Sequence, residues 1–178
     1  TATNDDWPGS LASTFASVGA FAFTPGSKDA ALGQVLTGDF TVQASGTGAG
    51  VILVEAYDTA GGTSARLVNL SARNRVGTGD DILIAGFTLV GAGSKQVLIR
   101  AVGPTLTIFG VSGALADPTL RVIDAAGVTI ASNDNWQTQN NSQAVATAAV
   151  ESGAFALAAG SRDSALVLTL EPGAYTCR

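Results

Sequence analysis

No histidine occurs among the 178 residues, and there is a single cysteine, Cys177. Without histidine there is no Ser–His or Cys–His nucleophile pair and no imidazole metal ligand. One cysteine allows no intrachain disulfide and cannot build a zinc site by itself. Cys177 then reads either as a small buried hydrophobe or as an intermolecular thiol. Charge is scarce as well: charged residues make up 13% of the chain, against about 25% in ordinary globular domains. Net charge is −5 and the few basic residues are scattered, so no cluster could track a phosphate backbone and nucleic acid is not an expected partner. No apolar run reaches the length of about 18 residues that a membrane span needs. The first residues, Thr1-Ala2-Thr3, carry neither a charged nor an apolar leader region, so a signal peptide is not expected within this chain. Gly-Lys-Ser/Thr never follows the glycine-rich stretches Gly46-Thr47-Gly48 and Gly77-Thr78-Gly79-Asp80, which therefore read as turns rather than phosphate loops.

What the chain has is itself, twice. Asn4-Asp5-Asp6-Trp7 returns as Asn133-Asp134-Asn135-Trp136, and Val18-Gly19-Ala20-Phe21-Ala22-Phe23 as Ser152-Gly153-Ala154-Phe155-Ala156-Leu157. Gly26-Ser27-Lys28-Asp29 returns as Gly160-Ser161-Arg162-Asp163, and Gly38-Asp39-Phe40-Thr41-Val42-Gln43 as Gly173-Ala174-Tyr175-Thr176-Cys177-Arg178. A spacing of about 130 residues is too long for a solenoid unit and suits tandem domains of one fold.

Strand signals dominate. Val51–Tyr57 is a short apolar run, Ala65–Arg73 alternates, and Asp81–Val90 and Gln96–Val102 flank Gly91-Ala92-Gly93-Ser94 as an expected hairpin. Leu120–Ile123 and Val128–Ile130 flank Asp124-Ala125-Ala126-Gly127 as a second hairpin. Ala165–Leu170 and Ala174–Arg178 flank the turn Glu171-Pro172-Gly173, with Ala31–Leu36 and Asp39–Gln43 as their counterparts. Helical turns are expected only at Leu11–Val18, Pro104–Phe109 and Ser142–Val150. The expected fold class is all-β: an antiparallel β-sandwich, jelly-roll or immunoglobulin-like, in one and a third tandem repeats. Residues 1–58 are expected to be the C-terminal part of a first sandwich, 59–64 a linker, and 65–178 a second sandwich lacking its last strand. A rival frame folds 1–118 as one permuted domain and leaves 119–178 over. Either frame leaves an unpaired sheet edge, which invites strand addition. The assembly strands would be the spare one, carrying Val51, Ile52, Leu53, Val54 and Tyr57, and the terminal one, carrying Tyr175 and Cys177.

Carboxylates and tryptophans are the remaining chemistry. Asp5, Asp6 and Asp134, with the recurrent Asp29 and Asp163, are candidate ligands for Ca²⁺, a cation held by several oxygens. The competing reading is that these Asx side chains fix turns by bonding nearby backbone N–H groups. Asp6 becomes Asn135 in the second copy, whereas Asp5 is kept as Asp134. No cofactor is required; Ca²⁺ is the one candidate. Trp7 and Trp136 are candidate platforms for stacking a sugar, or plugs beneath a loop. Phe21, Phe155, Phe40 and Tyr175 are expected in the core. A hydrolase would need a cleft with two facing carboxylates; adjacent Asp80 and Asp81 point to opposite faces of a strand.

The string Ala65-Arg66-Leu67-Val68-Asn69-Leu70-Ser71, Gly77–Phe87, Val97–Leu106, Phe109-Gly110-Val111 and Leu115–Pro118, together with the repeated blocks, resembles a tandem repeat of very large secreted bacterial surface proteins. Its second half is loosely similar to the pre-peptidase C-terminal domain. The resemblance covers nearly the whole chain. It implies an extracellular or cell-surface module without activity of its own. Expected partners are copies of itself or neighbouring repeats, in a covalent tandem array or a strand-exchanged filament. The alternative is an accessory module of a secreted enzyme or adhesin that binds a polysaccharide or a protein.

Overall fold

The structure is a computed structural model that describes residues 1–48, 50–59, 67–138 and 141–178. The chain divides into two units, Thr1–Val68 and Asn69–Arg178. The expected linker lies outside the described residues apart from Thr59, as do Ala65 and Arg66.

All six strands of the described residues belong to the second unit. They are β1 (Ala85–Leu89), β2 (Lys95–Ala101), β3 (Leu120–Asp124), β4 (Thr129–Asn133), β5 (Ser164–Leu170) and β6 (Gly173–Cys177). Every pairing is antiparallel. One sheet has the order β1-β6-β3-β4 and the other pairs β2 with β5. The β-rich antiparallel expectation therefore holds.

The β3–β4 hairpin forms where expected. Asp124 fixes it, its Oδ1 accepting the N–H groups of Ala126 and Val128 at 2.9 Å each, with Gly127 at φ 81°. The expected hairpin about Gly91–Ser94 does not form. β1 runs beside β6 (Phe87 opposite Tyr175), while β2 runs beside β5 (Leu98 opposite Val167). The 91–94 and 171–172 connections thus both pass from one sheet to the other. The reason lies in β5, which is apolar on both faces, with β2 laid along it. Leu166, Ile99, Ala101 and Leu168 meet Leu120, Val122 and Cys177 of the four-stranded sheet. Ala165, Leu98 and Val167 meet Trp136, Val145 and Leu157 on the other side. A strand buried on both faces reads as a continuous apolar run, and its neighbour is chosen by packing, not by the nearest turn.

Helix α2 (Ser142–Ser152) supplies Val145 to that second cluster, buries Ala148 and Ala149 as well, and stops at Gly153, φ 72°, whose N–H returns to Ala149 and Val150. The 3₁₀ turn Pro104–Phe109 begins with proline at its first positions, where the missing N–H costs nothing.

In the first unit the described residues form a 3₁₀ turn, Gly9–Leu11, and helix α1 (Ala12–Val18), which ends at Gly19, φ 70°. No strand forms among the described residues there. Val51–Tyr57, Ala31–Leu36 and Asp39–Gln43 are irregular, and so are residues 67–73 of the expected alternating strand. A strand needs a partner for its ladder, and an isolated extended segment gains nothing by adopting that geometry.

Candidate functional site

The most constrained polar position in the second unit is Asp163, with no exposed surface. One carboxylate oxygen accepts the Gly103 N–H at 2.7 Å, and the other accepts the Ser161 hydroxyl at 2.5 Å and a close bond from the Thr105 hydroxyl. The Thr105 N–H reaches both oxygens at 3.3 Å. The backbone oxygen of Asp163 takes the Trp136 N–H at 2.8 Å, and Thr105 Oγ1 takes the Ala158 N–H at 2.9 Å. Burial pushes this carboxyl up, but the hydroxyls of Ser161 and Thr105 and the N–H groups of Gly103 and Thr105 outweigh it. The net direction is below the usual carboxylate value. Asp163 therefore holds the loop after β2, the start of β5 and the tryptophan block together as an ionised, fully bonded group.

Gly103 is part of that fit. A Cβ built there would lie 2.1 Å from the Leu115 carbonyl oxygen and 3.2 Å from Pro118. Gly103→Ala is expected to cost about 1–3 kcal/mol or more, because the obstacle is backbone and cannot swing away. Thermal unfolding should show a melting temperature lower by about 5 °C or more.

The same local framework stands in both sequence copies. Asn4 Oδ1 accepts the Ala31 N–H at 2.8 Å, and Asn133 Oδ1 accepts the Ala165 N–H at 3.0 Å. Asn4 Nδ2 donates to the Asp6 carbonyl at 2.8 Å, and Asn133 Nδ2 to that of Asn135 at 3.0 Å. Trp7 N–H reaches the Asp29 carbonyl at 2.8 Å, as Trp136 N–H reaches that of Asp163. Ser27 donates to the Asp29 carboxylate at 2.6 Å, as Ser161 does to Asp163. The helix stop recurs too, with Ala20 N–H on the Phe15 carbonyl and Ala154 N–H on that of Ala149.

These contacts relocate the candidate Ca²⁺ ligands. Asp163 is saturated by protein donors. Asp29 accepts from Ser27 in an exposed turn, and Asp6 pairs with Lys28 at 2.7 Å. Asp134 accepts from Asn135 Nδ2 at 3.1 Å, and Asp5 lies exposed. Among the described residues no three histidine, cysteine, aspartate or glutamate side chains come together to hold a metal ion. The hydrogen bonds that recur in the block are made by its asparagine, Asn4 or Asn133. Asn4 and Asn133, like Ser27 and Ser161, recur in sequence as faithfully as Asp5 and Asp134, and that was the signal for them. Thr105 and Gly103 have no such repeat, and only the structure reveals them.

The two tryptophans differ. Trp136 is buried against Val145, Leu157 and Ala165, and its Nε1 donates to Ser161 Oγ at 3.2 Å. It offers no ring face to a sugar. Trp7 is half-buried, stacked on Phe15 at 5.6 Å and edge-on to Phe23 at 5.8 Å. Phe21, Phe40 and Phe155, expected in the core, are exposed. Phe155 instead lies beneath the Arg100 guanidinium, 4.4 Å from its ring centre, and beside Phe109.

Cys177 is a free thiol buried with Leu120, Val122 and Leu166, and burial pushes its pKa up. Tyr175 stacks on Phe87 at 5.4 Å. Both sit on β6, which has neighbours on either side, so the terminal strand is not a sheet edge. The open edges among the described strands are β1, β4 and both sides of the β2–β5 pair. Val51, Ile52, Leu53 and Val54 are all largely exposed, and Tyr57, also exposed, bonds Glu55 at 3.0 Å.

Two broad surface depressions of about 360 Å³ each contain one carboxylate, Asp124 in one and Glu151 in the other, so neither presents two facing acids. No helix among the described residues is long and apolar enough to cross a membrane.

No protein-family model, no curated protein and no solved structure matches the chain.

Proposed function

We propose that the chain is a structural module of an extracellular bacterial array, built of β-sandwich repeats of one kind that join head to tail. The observation that carries this reading is the exposed apolar run Val51–Tyr57, with Val51 fully solvent-exposed and Ile52 68% exposed. A run this apolar and β-branched is stable only against a partner, and open strand edges are the usual receptor for such a segment. The framework repeated around Asn4 and Asn133 supports units of one kind, as does the resemblance to tandem repeats of large secreted surface proteins. Joining one end of a chain to the other end of the next is heterologous, so it propagates as a covalent array or a filament. Cohesion is mechanical, from backbone pairing and apolar burial, and needs no cofactor. The accessory-module reading is the weaker one, because Trp136 is buried beneath Ser161.

Negative-stain electron microscopy over a concentration series tests this. Filaments that lengthen with concentration are expected, and Val54→Pro, which removes an N–H from the run, should abolish them. Unchanged filaments in that variant would sink strand addition through Val51–Tyr57. Single particles at every concentration would leave covalent joining of neighbouring repeats as the route. Polysaccharide binding lost on Trp7→Ala would replace the structural reading with the accessory one.

A further inference from the structure

The two copies share the asparagine, serine and tryptophan-backbone bonds described above and differ in what covers them. In the second, Asp163 is closed over by Gly103 and Thr105, and Leu166, Leu170 and Cys177 are at most 8% exposed. In the first, Asp29 is exposed, and the matching Leu32, Leu36 and Val42 are 51%, 52% and 75% exposed. Phe40, which matches Tyr175, is 57% exposed. The cover in the second copy comes from identifiable segments. β2 pairs along β5, β1 and β3 flank β6, and the Gly103-Pro104-Thr105 loop donates to the carboxylate.

We infer that residues 4–43 form an acceptor face for a polypeptide segment with the sequence character of residues 69–133, supplied by a neighbouring repeat. Its Gly-Pro-Thr loop donates to the Asp29 carboxylate, and its strands lie along 30–36 and 38–43. The occupant is not the 69–133 segment of a second folded copy. In that copy the place is held by its own 164–178, which carries Val167 and Leu168 where the first copy has Gly33 and Gln34. Exchange would give up apolar contact and gain none. The acceptor framework is already built without its cover: Asn4, the Trp7 backbone N–H, Ser27 and the Asp29 carbonyl hold the same bonds as their counterparts, and only the Trp7 indole differs, donating to the Thr24 carbonyl at 3.3 Å. This deepens the head-to-tail reading, on which it rests, by naming what one end of the chain receives.

The test is the full chain carrying a second copy of residues 69–129 joined directly ahead of Thr1. Thr1-Ala2-Thr3-Asn4 then follows as Ile130-Ala131-Ser132-Asn133 does, keeping the hairpin in register. Hydrogen exchange of residues 30–43 should slow by about tenfold or more relative to the original chain, and binding of an apolar dye should fall. Asp29→Ala in the extended chain should reverse much of that protection, while the same change in the original chain has little effect. Residues 163–178 serve as the internal reference. Unchanged exchange at 30–43, or loss of protection at 163–178 through misdirected pairing, would overturn the inference. Filaments with 30–43 still unprotected would remove this inference and leave the assembly reading. Protection of 30–43 in a chain that never assembles would do the reverse.

Discussion

Asp163→Ala should destabilise the 69–178 unit by at least about 3 kcal/mol, enough to unfold a marginal domain at room temperature. The change removes one carboxylate and strands two backbone N–H groups, from Gly103 and Thr105, with two hydroxyls, from Ser161 and Thr105. Buried donors without partners are costlier than the bonds themselves were favourable. Asp163→Asn keeps one acceptor oxygen and should lose less. Chemical denaturation of the two variants gives the order directly; equal losses would show that a neutral acceptor oxygen restores nothing and that the site requires the ionised carboxylate. The pH dependence has a definite sign. A carboxyl held below its unfolded value of about 3.9 stabilises the fold above that pH, and this stabilisation is lost as pH falls through the lower folded value. The wild-type chain should therefore lose stability below about pH 4, and Asp163→Asn should flatten that part of the curve. A profile of the same steepness in both would remove Asp163 as the responsible group.

Trp136→Ala should cost about 3–5 kcal/mol, the range for truncating a buried aromatic. Its ring joins α2, β5 and the Leu157 segment, so the cavity would open between elements that cannot all close on it. Trp7→Ala should cost less than half as much, since Trp7 is only half-buried and Phe15 and Phe23 remain in contact at 5.2 Å. Calorimetry of both variants is the check. Equal and small losses would mean that Trp136 is not the plug its burial indicates, and would return both rings to the list of ligand platforms.

Local structure was legible from the residues alone. The repeat of Asn-Asp-x-Trp and Gly-Ser-x-Asp announced a shared framework, and its bonds are short-range in kind: asparagine to nearby backbone, serine to aspartate two residues on, glycine ending a helix. Such bonds depend on side-chain chemistry and sequence spacing, so like sequences make them alike. The helical stretches, the 3₁₀ turn at Pro104 and the Asp124–Gly127 hairpin follow from the same local rules.

Pairing was not legible, because a strand is defined by another segment. Ala31–Leu36 and Ala165–Leu170 look alike in sequence, yet only the second belongs to a strand, since only it lies beside β2. Val51–Tyr57 has the strongest strand pattern in the first unit and forms no strand. The glycine-rich loop at 91–94 looks like a hairpin turn and carries the chain between sheets, because β2 pairs with β5, which buries both faces, and β1 is held by β6. Asp163 shows the division most clearly. Its recurrence was visible in the sequence, which also allowed a calcium ligand there. Its saturation by Gly103 and Thr105, about 60 residues away, was decided only when tertiary packing excluded water and left the protein's own donors to satisfy the charge.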